Sequence, residues 1–326
     1  MACSAGGGGE KAQTGGTAGG GQGGNGQGGG GQGGGIIFPA GGSGSGGQGG
    51  GKPAECDDAG NCTCINIASF GKPAHYGVGM DNTDAFLQWL NDKSSASVDL
   101  YQQRTTLTPE LLAKYDVIIL QALEDGEYGP FWKFSPEEID AVKSWVSNGG
   151  GLITLTGYGG DAGEVDPTNE LLAFAGASYN KDDILGNCPG GVPCYCWGNS
   201  VPMAQFSPES PISANIKQVG AFHGRSINSS GGVVVAGEGG TKFGVAIEVD
   251  KGRVFVFADE WVTYSSQWLG APQQPPNPND PCYDNAAGYW KTADKVFQVP
   301  QFWFNAIKWV STQVTCFDIE DPGIIK

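Results

Sequence analysis

The chain is poor in positive charge, almost without histidine, and free of long apolar runs. Its 326 residues hold 18 Lys and Arg against 34 Asp and Glu, a net charge of −16. So acidic a surface repels phosphate backbones and anionic headgroups, which argues against nucleic acid and anionic lipid as partners. His75 and His223 are the two histidines. Neither has neighbours at metal-ligand spacing, and no G-x-S-x-G elbow offers a serine for a Ser–His hydrolase. No stretch reaches the ~20 apolar residues of a membrane span. No apolar signal core is visible either.

Apolar residues are also nearly absent from the first 52 positions. Ile36, Ile37 and Phe38 form the one apolar patch there, and residues 1–51 hold 27 of the 57 glycines. Such a segment cannot offset its ordering entropy by burial. Residues 1–52 are therefore expected to be a disordered tether with an r.m.s. reach of roughly 40 Å. Residues 53–326 suffice for one large α/β domain.

What the chain does have is cysteine. Cys3 stands alone near the start. Eight others follow: Cys56, Cys62, Cys64, Cys188, Cys194, Cys196, Cys282 and Cys316. CDDAGNCTC and CPGGVPCYC share the spacing C-x5-C-x-C, unlike the short knuckles of zinc sites. Disulfides in an oxidising, extracytoplasmic compartment fit this set better than a metal.

Along the folded part the periods alternate. CINIASF (64–70) reads as a buried strand, and DNTDAFLQWLND as a helix capped by Asp81 or Asn82. VDLYQQ (98–103) is a second strand. TPELLAKY, a short helix, leads to the apolar strand YDVIILQAL. In SPEEIDAVKSWVSNGGG, Ser135 and Glu138 make a capping box around Pro136, and the glycines end the helix. LITLTG is the next strand and NELLAFAGA the next helix. GGVVVAGEGGTKFGVAIEVDKGRVFVFADEW then reads as strands joined by Gly-bearing turns, an antiparallel extension. PQFWFNAIKWVSTQV closes as a helix with Phe302, Ile307, Trp309 and Val310 inward. Residues 181–211 and 264–300 carry neither period and read as cysteine-bearing insertions. Trp132, Trp197, Trp261, Trp268 and Trp290 fall at strand ends or in loops, where aromatics can bind ligands.

The order YDVIIL, SPEEIDAVKSWVSNGGG, LITLTG, with KGRVFVFADEW and FWFNAIKWV later, resembles the class I glutamine amidotransferase-like superfamily, in particular its ThuA-like branch. The resemblance covers roughly residues 62–316. It implies a flavodoxin-like three-layer α/β/α sandwich with a mostly parallel sheet. Active members of that superfamily carry a cysteine on the elbow after the fourth strand. Here Tyr158 stands there, behind Thr156 and Gly157. A phenol with a pKa near 10 is a poor nucleophile at neutral pH, so the amidotransferase chemistry is expected to be absent. MACSAGGGG likewise resembles the start of a mature bacterial lipoprotein, with Cys3 as the lipidated residue and the Gly-rich segment as a stalk. The alternative for Cys3 is a free thiol.

In a parallel α/β sheet, ligands bind beyond the carboxyl ends of the strands. Ser69 closes the first strand there, and His75 lies in the loop behind it. Glu124 follows the third strand, and Tyr158 and Asp161 the fourth. Asp259, Glu260 and Trp261 follow FVFADEW. Carboxylates with aromatics suit a glycan or a hard cation such as Ca²⁺, and paired carboxylates can run glycoside hydrolysis. The plainer alternatives are that Asp161 caps the next turn and that Asp259 and Glu260 pair with Arg225 or a lysine. Three functions follow in order of preference. The first is an extracytoplasmic, surface-tethered binding or scaffold domain for a glycan, a cation or another envelope protein. The second is a secreted glycan hydrolase, and the third a purely structural envelope protein. The topology also groups the cysteines. Cys56, Cys62, Cys64 and Cys316 belong at the bottom of the sheet, and Cys188, Cys194, Cys196 and Cys282 at the top.

Overall fold

The computed structural model describes residues 55–56, 62–72, 83–93, 96–126, 129–157, 161–184, 206–216, 219, 224–265, 268, 283–284, 289–290, 298–311 and 319–322. The expectations for the tether, for Cys3, His75, Tyr158 and His223, and for Cys188, Cys194, Cys196, Cys282 and Cys316 fall outside those residues, as do those for the side chains of Cys56, Cys62 and Trp290 and for Trp197. Cys64 is buried and disulfide-bonded.

Thirteen strands are described. Two short pairs stand apart: β1 (Glu55–Cys56) with β2 (Cys62–Thr63), and β12 (Tyr283–Asp284) with β13 (Tyr289–Trp290). The main sheet holds β3 (Asn66–Gly71), β4 (Ser97–Tyr101), β5 (Val117–Gln121), β6 (Gly151–Leu155), β9 (Val233–Glu238), β10 (Thr241–Val249) and β11 (Gly252–Phe257). Its order is β4-β3-β5-β6-β11-β10-β9. The five strands from β4 to β11 run parallel, and β10 and β9 add on antiparallel. The parallel part is the 2-1-3-4-5 order of flavodoxin-like folds.

The strands alternate apolar residues onto two faces. Ile67, Ile119, Ile153, Phe255 and Phe257 point to one face, against α1 (Asp84–Lys93) and α5 (Val299–Val310). Ala68, Ile118, Leu120, Leu152 and Val254 point to the other, against α2 (Pro109–Leu112), α3 (Pro136–Ser147) and α4 (Asp166–Leu172). That is a three-layer sandwich with two cores, the arrangement that a parallel sheet apolar on both faces requires. The capping box of α3 forms as the sequence predicts: Ser135 Oγ accepts from Glu138 N at 3.3 Å, and Glu138 Oε2 accepts from Ser135 N at 2.9 Å. The β9–β10 turn is the two-residue Gly239–Gly240, both at positive φ, which suits the twist of a tight hairpin.

Several expectations need correction. β7 (Ala177–Tyr179) and β8 (Ile227–Ser229) pair in a small antiparallel ribbon of their own. At three residues each they are too short for any period to show. The segment 181–211 is not wholly an insertion over the sheet. Phe206 bridges Ala236, and Ser207 N donates to Val235 O at 2.8 Å, so its end lines the edge of β9. Trp132 is buried, with Nε1 donating to Asp125 Oδ1 at 2.8 Å, and is not open to a ligand. Trp309, expected inward, is only half-buried, and the guanidinium of Arg253 lies over its ring, 4.8 Å from the centre.

Candidate functional site

The loops after the parallel strands form one crest, and the switch point of the order lies between β3 and β5. The chain passes itself closely there. Gly71 has φ +94, and a Cβ on it would lie 1.8 Å from the Gln121 carbonyl oxygen, so no other residue fits. Beside it a crevice of about 590 Å³ is lined by Lys72, Gln102, Gln103, Arg104 and Asp125. Its cations are engaged by the protein itself. Lys72 Nζ donates to Asp125 O at 2.6 Å. Arg104 pairs with Glu138 at 2.6 Å and donates to Lys133 O at 2.8 Å.

The predicted carboxylates sit under this crest. Glu124 is 0% exposed and accepts from Gly129 N at 2.5 Å. Asp259, also 0% exposed, accepts from Trp261 N at 3.0 Å. Glu260 is 1% exposed and accepts from the Tyr264 hydroxyl at 2.5 Å. Its carboxyl fills the space where residue 157 would carry a side chain: a Cβ on Gly157 would lie 2.7 Å from Glu260 Cδ. The glycine before Tyr158 is thus demanded by the β11 end across from it. Trp261 is half-exposed and stacks on Tyr264, with ring centres 5.4 Å apart. Ser69 is buried. Asp161 is exposed and caps the 3₁₀ turn Ala162–Val165, with Oδ1 accepting from Gly163 N at 2.8 Å.

Two residues that the sequence did not single out as a pair complete the cluster. Arg225 and Glu164 form an ion pair at 2.8 Å, and both side chains are buried. Arg225 also donates to Asp182 O at 2.6 Å, while its N aligns with Ala258 O at 3.0 Å at the end of β11. Burial pushes the Glu164 carboxyl up to about 7. Arg225 opposes that rise, and the negative charges of Glu124 and Asp161 add to it. Arg225 Nη2 and Gln121 Nε2 are buried and have no hydrogen-bond partner among the described residues.

The topology places Glu124 after β5 and Asp259, Glu260 and Trp261 after β11, the two strands that flank β6. Asp161 lies out at the surface as a cap, the plainer of its two expected roles. Arg225 is taken by Glu164, not by Asp259 or Glu260. Glu164 sits three residues behind a helix-start aspartate and reads as an ordinary first-turn acid, so only the fold reveals its partner. Among the described residues, no three His, Cys, Asp or Glu side chains come together to hold a metal. None of the described helices is long and apolar enough to cross a membrane.

No protein-family model matches the sequence, and no curated protein does either. Solved structures do match. The mmIFT52 N-terminal domain superposes with a TM-score of 0.51 at 14% identity, covering 76% of this chain and 97% of that domain. This likeness is one of fold, an α/β sandwich. A cytoplasmic protein from Salmonella typhimurium LT2 gives 0.43 at 17% identity, over 76% of this chain and 98% of its own. A ThuA-like protein from Parabacteroides merdae ATCC 43184 is also a structural neighbour, at 0.36 and 11% identity, over 77% and 91%.

Proposed function

We propose that the chain is an extracytoplasmic, surface-tethered binding domain for a glycan, built on a degenerate amidotransferase-like fold. The Gly-rich segment is the spacer, and Cys3 the point of lipid attachment. One observation carries the choice of binding over hydrolysis: the crest carboxylates are spent internally. Glycoside hydrolysis needs one carboxyl to protonate the leaving oxygen and a second to face the sugar or its water. Glu124, Asp259 and Glu260 are at most 1% exposed, and each accepts a hydrogen bond from the protein's own N–H or O–H groups. They brace the loops of the crest. The acidic balance of the chain leaves neutral or cationic ligands as its natural partners.

The test is an incubation of the full chain with neutral oligosaccharides, with and without Ca²⁺, followed by reducing-end and calorimetric assays. The expected result is binding without release of new reducing ends. Hydrolysis that disappears in Glu124→Gln or Asp259→Asn would overturn the proposal in favour of a glycosidase. Absence of any calorimetric signal would favour a purely structural protein.

A further inference from the structure

The two edges of the main sheet are treated differently. β9 is shielded: Phe206 bridges Ala236, Ser207 N donates to Val235 O at 2.8 Å, and the β9–β10 register shifts along its length. Cover and irregularity of this kind keep an edge from pairing with another chain. β4, at the opposite edge, has neither. Its register with β3 runs unbroken from Asn66↔Ser97 to Phe70↔Tyr101, and among the described residues no strand or loop pairs with its outer side. Its sequence, SVDLY, holds no lysine or proline to blunt it. We infer that this edge receives an extended segment of a partner protein in which basic and apolar residues alternate. The inference stands whether or not the crest binds a glycan.

The two faces of β4 set that alternation, because successive side chains of a strand point to opposite sides. Val98 and Leu100 share one side. Val98 packs against the core beneath α1 and α5, while Leu100 is 42% exposed. An apolar side chain opposite Leu100 would cover it. Asp99 and Tyr101 share the other side. Asp99 is exposed, and its Oδ2 accepts from the Tyr115 hydroxyl at 2.6 Å. Tyr115 also meets the Tyr101 hydroxyl at 2.6 Å, and the Tyr101 ring stacks on Phe70 with centres 4.7 Å apart. The Asp99 carboxylate is thus held in place at the surface, and a cation opposite is the partner that it selects.

Charge also disfavours the simplest occupant, a second copy of β4. Antiparallel strands centred on Ser97–Tyr101 would set Asp99 against its own counterpart, and each chain carries a net charge of −16. An acidic partner is repelled in the same way. An extended basic segment gains the main-chain hydrogen bonds of a new ladder for affinity. Its pairs with Asp99 and Leu100 supply the selectivity.

The experiment adds two end-blocked peptides to the full chain at physiological salt, one of alternating lysine and valine, the other of alternating glutamate and valine. Calorimetry reads binding, and amide hydrogen exchange reads β4. The lysine peptide should bind and slow exchange across Ser97–Tyr101, and the glutamate peptide should do neither. Asp99→Lys should weaken the lysine peptide about tenfold, as an attractive cross-strand pair becomes a repulsive one, and should admit the glutamate peptide. Leu100→Lys, also at an exposed position, should weaken the lysine peptide too, and thermal melting checks that both variants fold. The inference fails if the lysine peptide does not bind, binds without slowing exchange in β4, or is indifferent to both substitutions. It fails equally if the wild type is a dimer that Leu100→Lys dissociates, since a second copy then covers the edge.

Discussion

Replacing Glu164 by Gln should remove a pH dependence of stability that the wild type carries near neutrality. Glu164 is buried against Arg225, and its carboxyl is raised from 4.5 to about 7, chiefly by burial. Below pH 4.5 the folded and unfolded chains both hold the proton. Between 4.5 and 7 the folded chain keeps it and the unfolded chain releases it, so folding is progressively penalised as pH rises. Above 7 the full penalty applies. A shift of that size at 1.36 kcal/mol per unit is up to about 3 kcal/mol, an upper figure for a group so closely paired. Gln keeps an oxygen for the Arg225 N–H but has no proton to lose. Urea unfolding of both proteins at pH 5, 6, 7 and 8 reads the effect. The stability of the wild type relative to Glu164→Gln should fall by about 2–3 kcal/mol from pH 5 to pH 8. The two histidines are common to both proteins and cancel in the difference. The carboxyls of Glu110, Glu137 and Glu138 are all lowered and titrate below this window. A difference that stays flat across the range would refute the assignment of a raised carboxyl at this pair.

Two further substitutions probe the frame. Gly157→Ala puts a methyl 2.7 Å from Glu260 Cδ and should cost about 1–3 kcal/mol, read as a lower urea midpoint at unchanged m-value; a neutral result would mean that the β11 end yields to the elbow. Glu138→Ala removes the partner of Arg104 and the acceptor for the backbone N–H of both Ser135 and Leu107. It should cost about 3 kcal/mol or more, well above the ~1 kcal/mol of a lone helix cap, and thermal melting distinguishes the two.

Much of the fold could be read from local pattern, because local pattern caused it. The helix from Pro136 announces its own start through Ser135 and Glu138, and the strands of the parallel sheet are apolar on both faces because helices cover both. The crest was legible as a place for the same reason: strand ends follow from strand order. Its chemistry was not. A strand's alternation says which face a residue meets only while the strand lasts. Past its end, burial depends on what folds back over it. Glu124 follows a left-handed Ala122 and is closed in by Gly129, and Glu260 is closed in by Gly157 from another strand. The same limit applies more strongly to pairs. Glu164 and Arg225 are 61 residues apart and share no motif. A concavity of about 890 Å³ beside α5 draws on β9, β10, β11 and the turn at Pro211, none of which marks itself as a wall. The crest shows the same limit in its polar groups. Glu124, Asp259 and Glu260 each accept a hydrogen bond from the protein itself, while Gln121 Nε2 and Arg225 Nη2 are buried with no hydrogen-bond partner among the described residues, and nothing in the local sequence separates the two outcomes.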